Sequence, residues 1–342
     1  MNKRTNMTAA FFTGILFIIF SHPVNIFAAS NLNGHTVGIE SVDMQMNSGT
    51  DDEVFGPPKP ENYPSQNQVN SHSEEGTLSP SRGSFFTDMT DTDEELEILL
   101  SQADSLLPTD NGTWSVYICN LENGTQAALN DQPMQAASLI KLFIMGTVYE
   151  NYDVLSQQYG SEALDENLTS MITVSDNDAA NTLVNWLGSG DNATGMQNVN
   201  QFCQSHGYTE TSMGRMLLAS NEYGDNYTSV SDCGKFLREI YEGCQRTTSW
   251  VSTLSHSEDM YELLKMQTRT NKIPADMPEE VKVANKTGEL SDVENDAGII
   301  YDAPGGTDLV ICFMSQNLND TVAAQTVIAQ VSRTIYNYYN ES

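Results

Sequence analysis

Basic residues are scarce in this chain. Across 342 residues, 15 lysines and arginines face 46 aspartates and glutamates, for a formal charge of −31. A surface so acidic repels phosphate backbones and anionic lipid, so nucleic-acid binding and peripheral membrane binding are poor readings. Histidine is also rare, with five in all and only His206 and His256 beyond the first hundred residues. With no H-E-x-x-H and no C-x-x-C, a zinc site has almost nothing to be built from, and no metal or cofactor is expected. Only eight lysines occur, which makes the position of each informative. The five cysteines leave one odd, and their pairing is not assignable. Cys119 and Cys312 lie in strand-like runs and read as core thiols. Cys233 and Cys244 sit near the two ends of an expected helix over 231–242, about 16 Å apart and too distant for a bridge.

The first thirty residues have the parts of a secretory signal: basic Lys3 and Arg4, the apolar run Phe11 to Phe20, and small residues Ala28-Ala29-Ser30. The apolar run is too short for a retained span and is broken at Ser21, His22 and Pro23. The expectation is a signal over 1–29 and a secreted or cell-wall-associated chain. Residues 30–90 hold five of the eleven prolines, much Ser and Asn and few large aliphatics. Such a segment buries too little apolar surface to offset its ordering entropy and reads as a solvated linker.

From about residue 91 the pattern becomes that of a folded domain, expected to run to 342. Thr92-Asp-Glu-Glu95 is a capping-box pattern before Leu96, Leu99, Leu100, Ala103 and Leu107 at helical spacing. Trp114 to Leu121 is strand-like and precedes Asn123-Gly124, a hairpin signal. Residues 138–150 read as a helix, and 165–270 as mainly helical. Strands are expected at 281–287, 296–302 and 308–315, and a last helix from Thr321 to Tyr339 with Asn319 or Asp320 as its cap. The fold class is therefore α+β. Strands from both ends form one antiparallel sheet flanked by the terminal helices, the residues between them form a helical lobe, and a cleft lies between the two.

Three short motifs carry chemistry. Ser138-Leu-Ile-Lys141 places an amine and a hydroxyl three residues apart, on one helical face. A desolvated lysine there can take the proton of a serine that is otherwise a weak nucleophile. The chain has no other S-x-x-K. Ser175-Asp176-Asn177 opens an expected helix, where all three residues would also serve as plain caps. Lys286-Thr287-Gly288 closes an expected strand. Each tripeptide arises by chance roughly once in several thousand positions, so the ordered set is a strong signal.

That order is a signature of serine β-lactamases and penicillin-binding proteins. From about residue 91 to the end, the chain resembles the class A β-lactamase family, also in Ser175 to Asn181 and in Ala297 to Ser315. The resemblance implies that Ser138 attacks a carbonyl carbon and becomes acylated, with Lys141 accepting its proton and Ser175 relaying one to the leaving nitrogen. It implies that Asn177 bonds Lys141 and the substrate amide, and that Lys286 and Thr287 bind the substrate carboxylate while Gly288 lets the strand approach closely. The oxyanion would be held by the N–H groups of Ser138 and Glu289, worth about 2.7–4 kcal/mol per donor. The implied partner is a β-lactam or a peptidoglycan stem peptide, with no nucleic acid, no metal and a monomeric protein.

The departures are as informative as the matches. Class A enzymes carry an R-x-E-x-x-L-N loop whose Glu activates the deacylating water. The best match here is Arg215 to Asn221 (RMLLASN), with Leu217 at the Glu position. Glu222 and Asp225 are the nearby carboxylates that could substitute. Glu289 stands where the family has a small or hydroxyl residue. It either turns to solvent or, if unpaired, favours a substrate with a positive group. Ser138 and Ser175 are also closer in sequence than is usual, so a more open cleft is expected. Three readings follow: a β-lactam-opening serine hydrolase, a D-alanyl-D-alanine carboxypeptidase or penicillin-binding protein with slow deacylation, and a non-catalytic surface binding module.

Overall fold

The computed structural model describes residues 94–222, 224–245, 254–304 and 306–340. The expected signal (1–29), the expected linker (30–90) and the Thr92 capping residue lie outside them.

In chain order the elements are α1 (Glu94–Leu106), β1 (Thr113–Asn120), β2 (Gln126–Leu129), β3 (Met134–Gln135), a 3-10 turn (Ala137–Leu139) and α2 (Ile140–Glu150). Then follow α3 (Tyr152–Tyr159), α4 (Ser161–Thr173), α5 (Asn177–Leu187), α6 (Asn192–His206), β4 (Tyr227–Thr228), α7 (Val230–Cys244) and α8 (Ser257–Lys265). The chain closes with β5 (Lys282–Leu290), β6 (Val293–Tyr301), β7 (Leu309–Gln316) and α9 (Thr321–Asn340).

The main sheet has the order β2-β1-β7-β6-β5 and is antiparallel throughout. It is the expected α+β arrangement. Side chains alternate along each strand, so one strand feeds two cores. Trp114, Val116 and Ile118 of β1, with Leu309, Ile311 and Phe313 of β7, pack beside Leu96, Leu99 and Leu100 of α1 and Ile328, Val331 and Ile335 of α9. The intervening Tyr117, Cys119, Val310, Cys312 and Met314 join the helical lobe's core, with Phe143, Leu183, Phe202 and Phe236. Burial on both faces explains why β1 and β7 read as nearly unbroken apolar runs. All five cysteines are free, and Cys119 and Cys312 are buried core thiols as expected. Cys233 and Cys244 lie near the two ends of α7.

Three boundaries differ from expectation. The S-x-x-K motif starts in a 3-10 turn, with Ala137 at φ 47°, before α2 begins. Ser175 precedes its helix, and the capping residue is Asp176, whose carboxylate accepts the Ala179 N–H at 2.7 Å. Lys286-Thr287-Gly288 lies inside a nine-residue strand rather than at its end. The polar run Gly288 to Asn295 hides the continuation of β5 and β6, which pair as far as Leu290 and Val293. Asp320 caps α9 by accepting the Ala323 N–H.

Among the described residues no helix is long and apolar enough to cross a membrane. Helix α7 packs against β1, β6 and β7, and its approach depends on Gly234. A Cβ there would fall 2.2–2.7 Å from the Tyr117 ring. Gly234→Ala should therefore lower unfolding stability by about 1–3 kcal/mol, as overpacked cores do, read as a lower denaturant midpoint at unchanged m-value.

Candidate active site

The three motifs converge where the 3-10 turn, the α4–α5 connection and β5 meet. Lys141 leaves the first turn of α2 and is fully buried. Its Nζ donates to the Ser175 carbonyl at 2.6 Å and to Asn177 Oδ1 at 2.7 Å, and lies 3.1 Å from both Ser138 Oγ and Ser175 Oγ. The two short bonds fix two N–H directions and leave the third shared between the hydroxyls. When the amine is unprotonated, that third direction is its lone pair, aimed at the Ser138 proton.

Burial pushes the Lys141 ammonium down to about 8, with Asp176 opposing and Arg269 assisting. Relative to an ordinary lysine this disfavours the charged form by about 3 kcal/mol. Lys286 is also fully buried, and its Nζ donates to Ser175 Oγ at 2.9 Å and to the Thr287 carbonyl at 2.7 Å. Burial, then the nearby Lys141 and Arg269, holds it well below the usual lysine range. Ser175 Oγ thus accepts from two amines, which leaves its own proton to be donated elsewhere. Its backbone is held at φ 62°, a left-handed conformation that costs a non-glycine residue energy. That strain turns both its carbonyl and its hydroxyl toward Lys141.

Two polar groups in the cleft are unused. Thr287 Oγ1 is buried without a partner. Asn177 Oδ1 holds Lys141, which leaves its amide N–H group for another acceptor. Strand β5 is the sheet's edge, and Gly288 presses against the 3-10 turn. A Cβ at 288 would lie 2.9 Å from the Ala136 carbonyl and 3.2 Å from the Ser138 and Leu139 nitrogens. A glycine keeps the space before those N–H groups open. Every proposed site residue, namely Ser138, Lys141, Ser175, Asn177, Lys286, Thr287, Gly288 and Glu289, therefore falls in this cluster or on the strand that borders it.

The model of the beta-lactamase enzyme family matches residues 99–159 and 154–339. The chain belongs to that family. Among curated proteins none matches it. Of solved structures, PBP-A shares 26% identity over 74% of this chain and 99% of its own, with a TM-score of 0.61. A leucine-to-glutamate mutant of PBP-A, solved as an acyl-enzyme complex with penicillin-G, shares 25% identity over 72% of this chain and 98% of its own, at TM-score 0.60. The beta-lactamase from Sphaerobacter thermophilus DSM 20745, at 22% identity, 71% and 97% coverage and TM-score 0.59, shares the fold.

The loop bearing Leu217 is well tied down. Asn181 bonds the Leu217 backbone twice, accepting its N–H at 2.9 Å and donating to its carbonyl at 3.0 Å. Asn226 Oδ1 accepts the Gly214 and Arg215 N–H groups. Asp225 accepts from Arg215 at 2.7 Å, Gln135 at 2.9 Å and the Asn226 N–H at 2.8 Å. Burial raises its carboxyl, but these donors outweigh burial and hold it below the usual range. Asp225 is therefore committed to the loop and is not a spare base, and Glu222 is exposed. Glu289 is likewise neither turned to solvent nor unpaired, since Arg269 and Lys272 both bind it. Sequence reading missed these two cations, although the scarcity of lysine marked Lys272 for attention. Among the described residues no cluster of His, Cys, Asp or Glu could hold a metal ion.

The free fraction of the Lys141 amine grows with pH, so labelling of Ser138 by a serine-directed fluorophosphonate is expected to accelerate through about pH 8. About a tenth of the amine is free at pH 7. Lys141→Met should abolish this dependence and slow labelling by about 100-fold or more, as measured by the rate of mass increase.

Proposed function

We propose that this is an exported serine acyl-transfer enzyme that accepts β-lactams and acyl-D-amino-acid peptides, forms an ester at Ser138 and releases it slowly. The observation that carries the reading is the convergence of two buried amines and two hydroxyls, with Lys141 Nζ 3.1 Å from Ser138 Oγ.

The Ser138 proton passes to Lys141 Nζ as Oγ attacks the carbonyl carbon. The developing oxyanion takes hydrogen bonds from the Ser138 and Glu289 N–H groups, preorganised donors that cost no reorganisation at the moment of reaction. As the C–N bond breaks, Ser175 gives its proton to the leaving nitrogen and recovers one from Lys141, so the amine ends as it began. Lys286 and the unpartnered Thr287 hydroxyl suit the carboxylate that these acyl donors carry, whose charge favours the protonated amine against the pull of burial.

Hydrolysis of the ester needs a base for water. Leu217 has none, and Asp225 is held by Arg215, which supports slow release. This favours the penicillin-binding reading over efficient β-lactam turnover. The intact set of two hydroxyls and two amines (Ser138, Ser175, Lys141 and Lys286) speaks against a purely non-catalytic binding module.

Intact-mass analysis after benzylpenicillin should show one antibiotic added per chain and decaying slowly, with no addition in Ser138→Ala. Steady wild-type hydrolysis without accumulation would contradict slow release. Leu217→Glu should place a carboxylate in the loop held by Asn181 and speed ester loss about 10-fold or more, within the range of general-base catalysis. Unchanged decay in a folded Leu217→Glu protein would count against the assigned place of this loop.

A further inference from the structure

Glu289 is a carboxylate on the same face of β5 as Thr287, one strand period away. The reading above places a substrate carboxylate at Thr287, so a free charge on Glu289 would repel it. A second carboxylate makes the problem worse: Glu289 and Glu294 are directly opposed across the β5–β6 pair, and like charges so placed are destabilising.

Lys272 resolves both conflicts. Its side chain is fully buried, and its Nζ lies 2.9 Å from Glu289 Oε1 and 2.7 Å from Glu294 Oε2. It also donates to the Asn295 carbonyl at 3.2 Å. Arg269 binds the second oxygen of Glu289, and Gln325 of α9 donates to Glu294 Oε1 at 2.9 Å. Two cations and two carboxylates thus cancel. Burial raises the Glu289 carboxyl, but Lys272 and Arg269 outweigh it and hold it below the usual range. With both oxygens occupied by cations, Glu289 is not a recruiting group for a positively charged substrate, which corrects that expectation.

The same ammonium ties the strand to the nucleophile. Asn295, whose carbonyl it holds, donates from its side chain to the Gln135 carbonyl at 2.9 Å and the Ala136 carbonyl at 3.3 Å, the residues that lead into the Ser138 turn. Asn295 Oδ1 accepts the Ser315 N–H of β7 at 3.0 Å. One side chain from the α8–β5 connection thereby fixes the hairpin that borders the cleft.

Resting on the proposed acyl-transfer function, we propose that Lys272 is a positioning residue whose charge neutralises Glu289, so that an acidic strand edge can admit an acyl donor carrying a carboxylate. The role is specific to the donor's charge. A residue that merely held the fold would affect charged and neutral donors alike.

The test compares Lys272→Met/Glu294→Gln with the triple variant that adds Glu289→Gln, using benzylpenicillin and its uncharged methyl ester. Removing Glu294 together with Lys272 avoids stranding a buried carboxylate, and the Arg269 left unopposed in the triple variant is part-exposed to solvent. The double variant leaves Glu289 with one cation instead of two. Its second-order rate of Ser138 acylation should fall on the order of 10-fold for benzylpenicillin and less than about 2-fold for the ester, the scale of one charge acting across a strand period at intermediate dielectric. The triple variant, with Arg269 unopposed, should match or exceed wild type for benzylpenicillin and stay within about 2-fold of it for the ester. Equal losses for the two donors in the double variant, no loss for either, or a triple variant as slow as the double would each overturn the proposal. Failure of the underlying reading looks different: wild type itself would be acylated at Ser138 by neither donor.

Discussion

An amine held out of water between two hydroxyls is the constraint on which the rest of this molecule depends. A lysine does not enter a protein interior without compensation. Here Lys141 is met by a carbonyl, an amide oxygen and two serines. The carbonyl belongs to Ser175, in a left-handed conformation that the α4–α5 connection imposes. The amide belongs to Asn177, fixed by the first turn of α5. Much of the helical lobe's packing around α2 and α5 can be understood as holding these acceptors in place. In return the buried site lowers the amine's proton affinity to where it can act near neutral pH.

The sheet contributes the opposite wall, and it does so from its edge. Strand β5 brings Lys286 to the same Ser175 hydroxyl from the other side, while Gly288 allows the strand to press on the Ser138 turn. A second buried ammonium, Lys272, serves the strand's outer end. Three of the six lysines among the described residues, Lys141, Lys272 and Lys286, are thus fully buried beside carboxylates or hydroxyls, in a chain of net charge −31. Around this arrangement the Leu217 loop is held by Asn181 and Asn226, and Asp225, the carboxylate it buries, is paired with Arg215. That pairing supports the slow release proposed for the ester.

Much of this was legible in the sequence. The order of strands, helical insert and strands was visible because most of the longer elements had a clean period, whereas 151–164, where α3 and the start of α4 lie, carried no expectation. The grouping of Ser138, Lys141, Ser175 and Lys286 was legible because three short motifs, two of them rare tripeptides, stood in one order. What was not legible depended on partners distant in the chain. The strand ends around Leu290 and Val293 read as polar loop because nothing local shows that Lys272 and Arg269 neutralise Glu289 and Glu294. The role of Asp225 was ambiguous for the same reason, since its commitment to Arg215 and Gln135 is a tertiary fact. Ser175 and Asp176 could not be separated as cap and site residue by type alone, since the Asp176 cap on the Ala179 N–H and the left-handed backbone of Ser175 are tertiary facts.

The claim at the centre is that Ser138 is the acylated atom and that Lys141 makes it so. Peptide mapping of protein treated with a fluorescent penicillin tests this most directly. The account predicts a single labelled peptide carrying the adduct on Ser138, and no label in Lys141→Met at neutral pH over the same interval. An adduct on any other residue, or full labelling of Ser138 without the Lys141 amine, would contradict it.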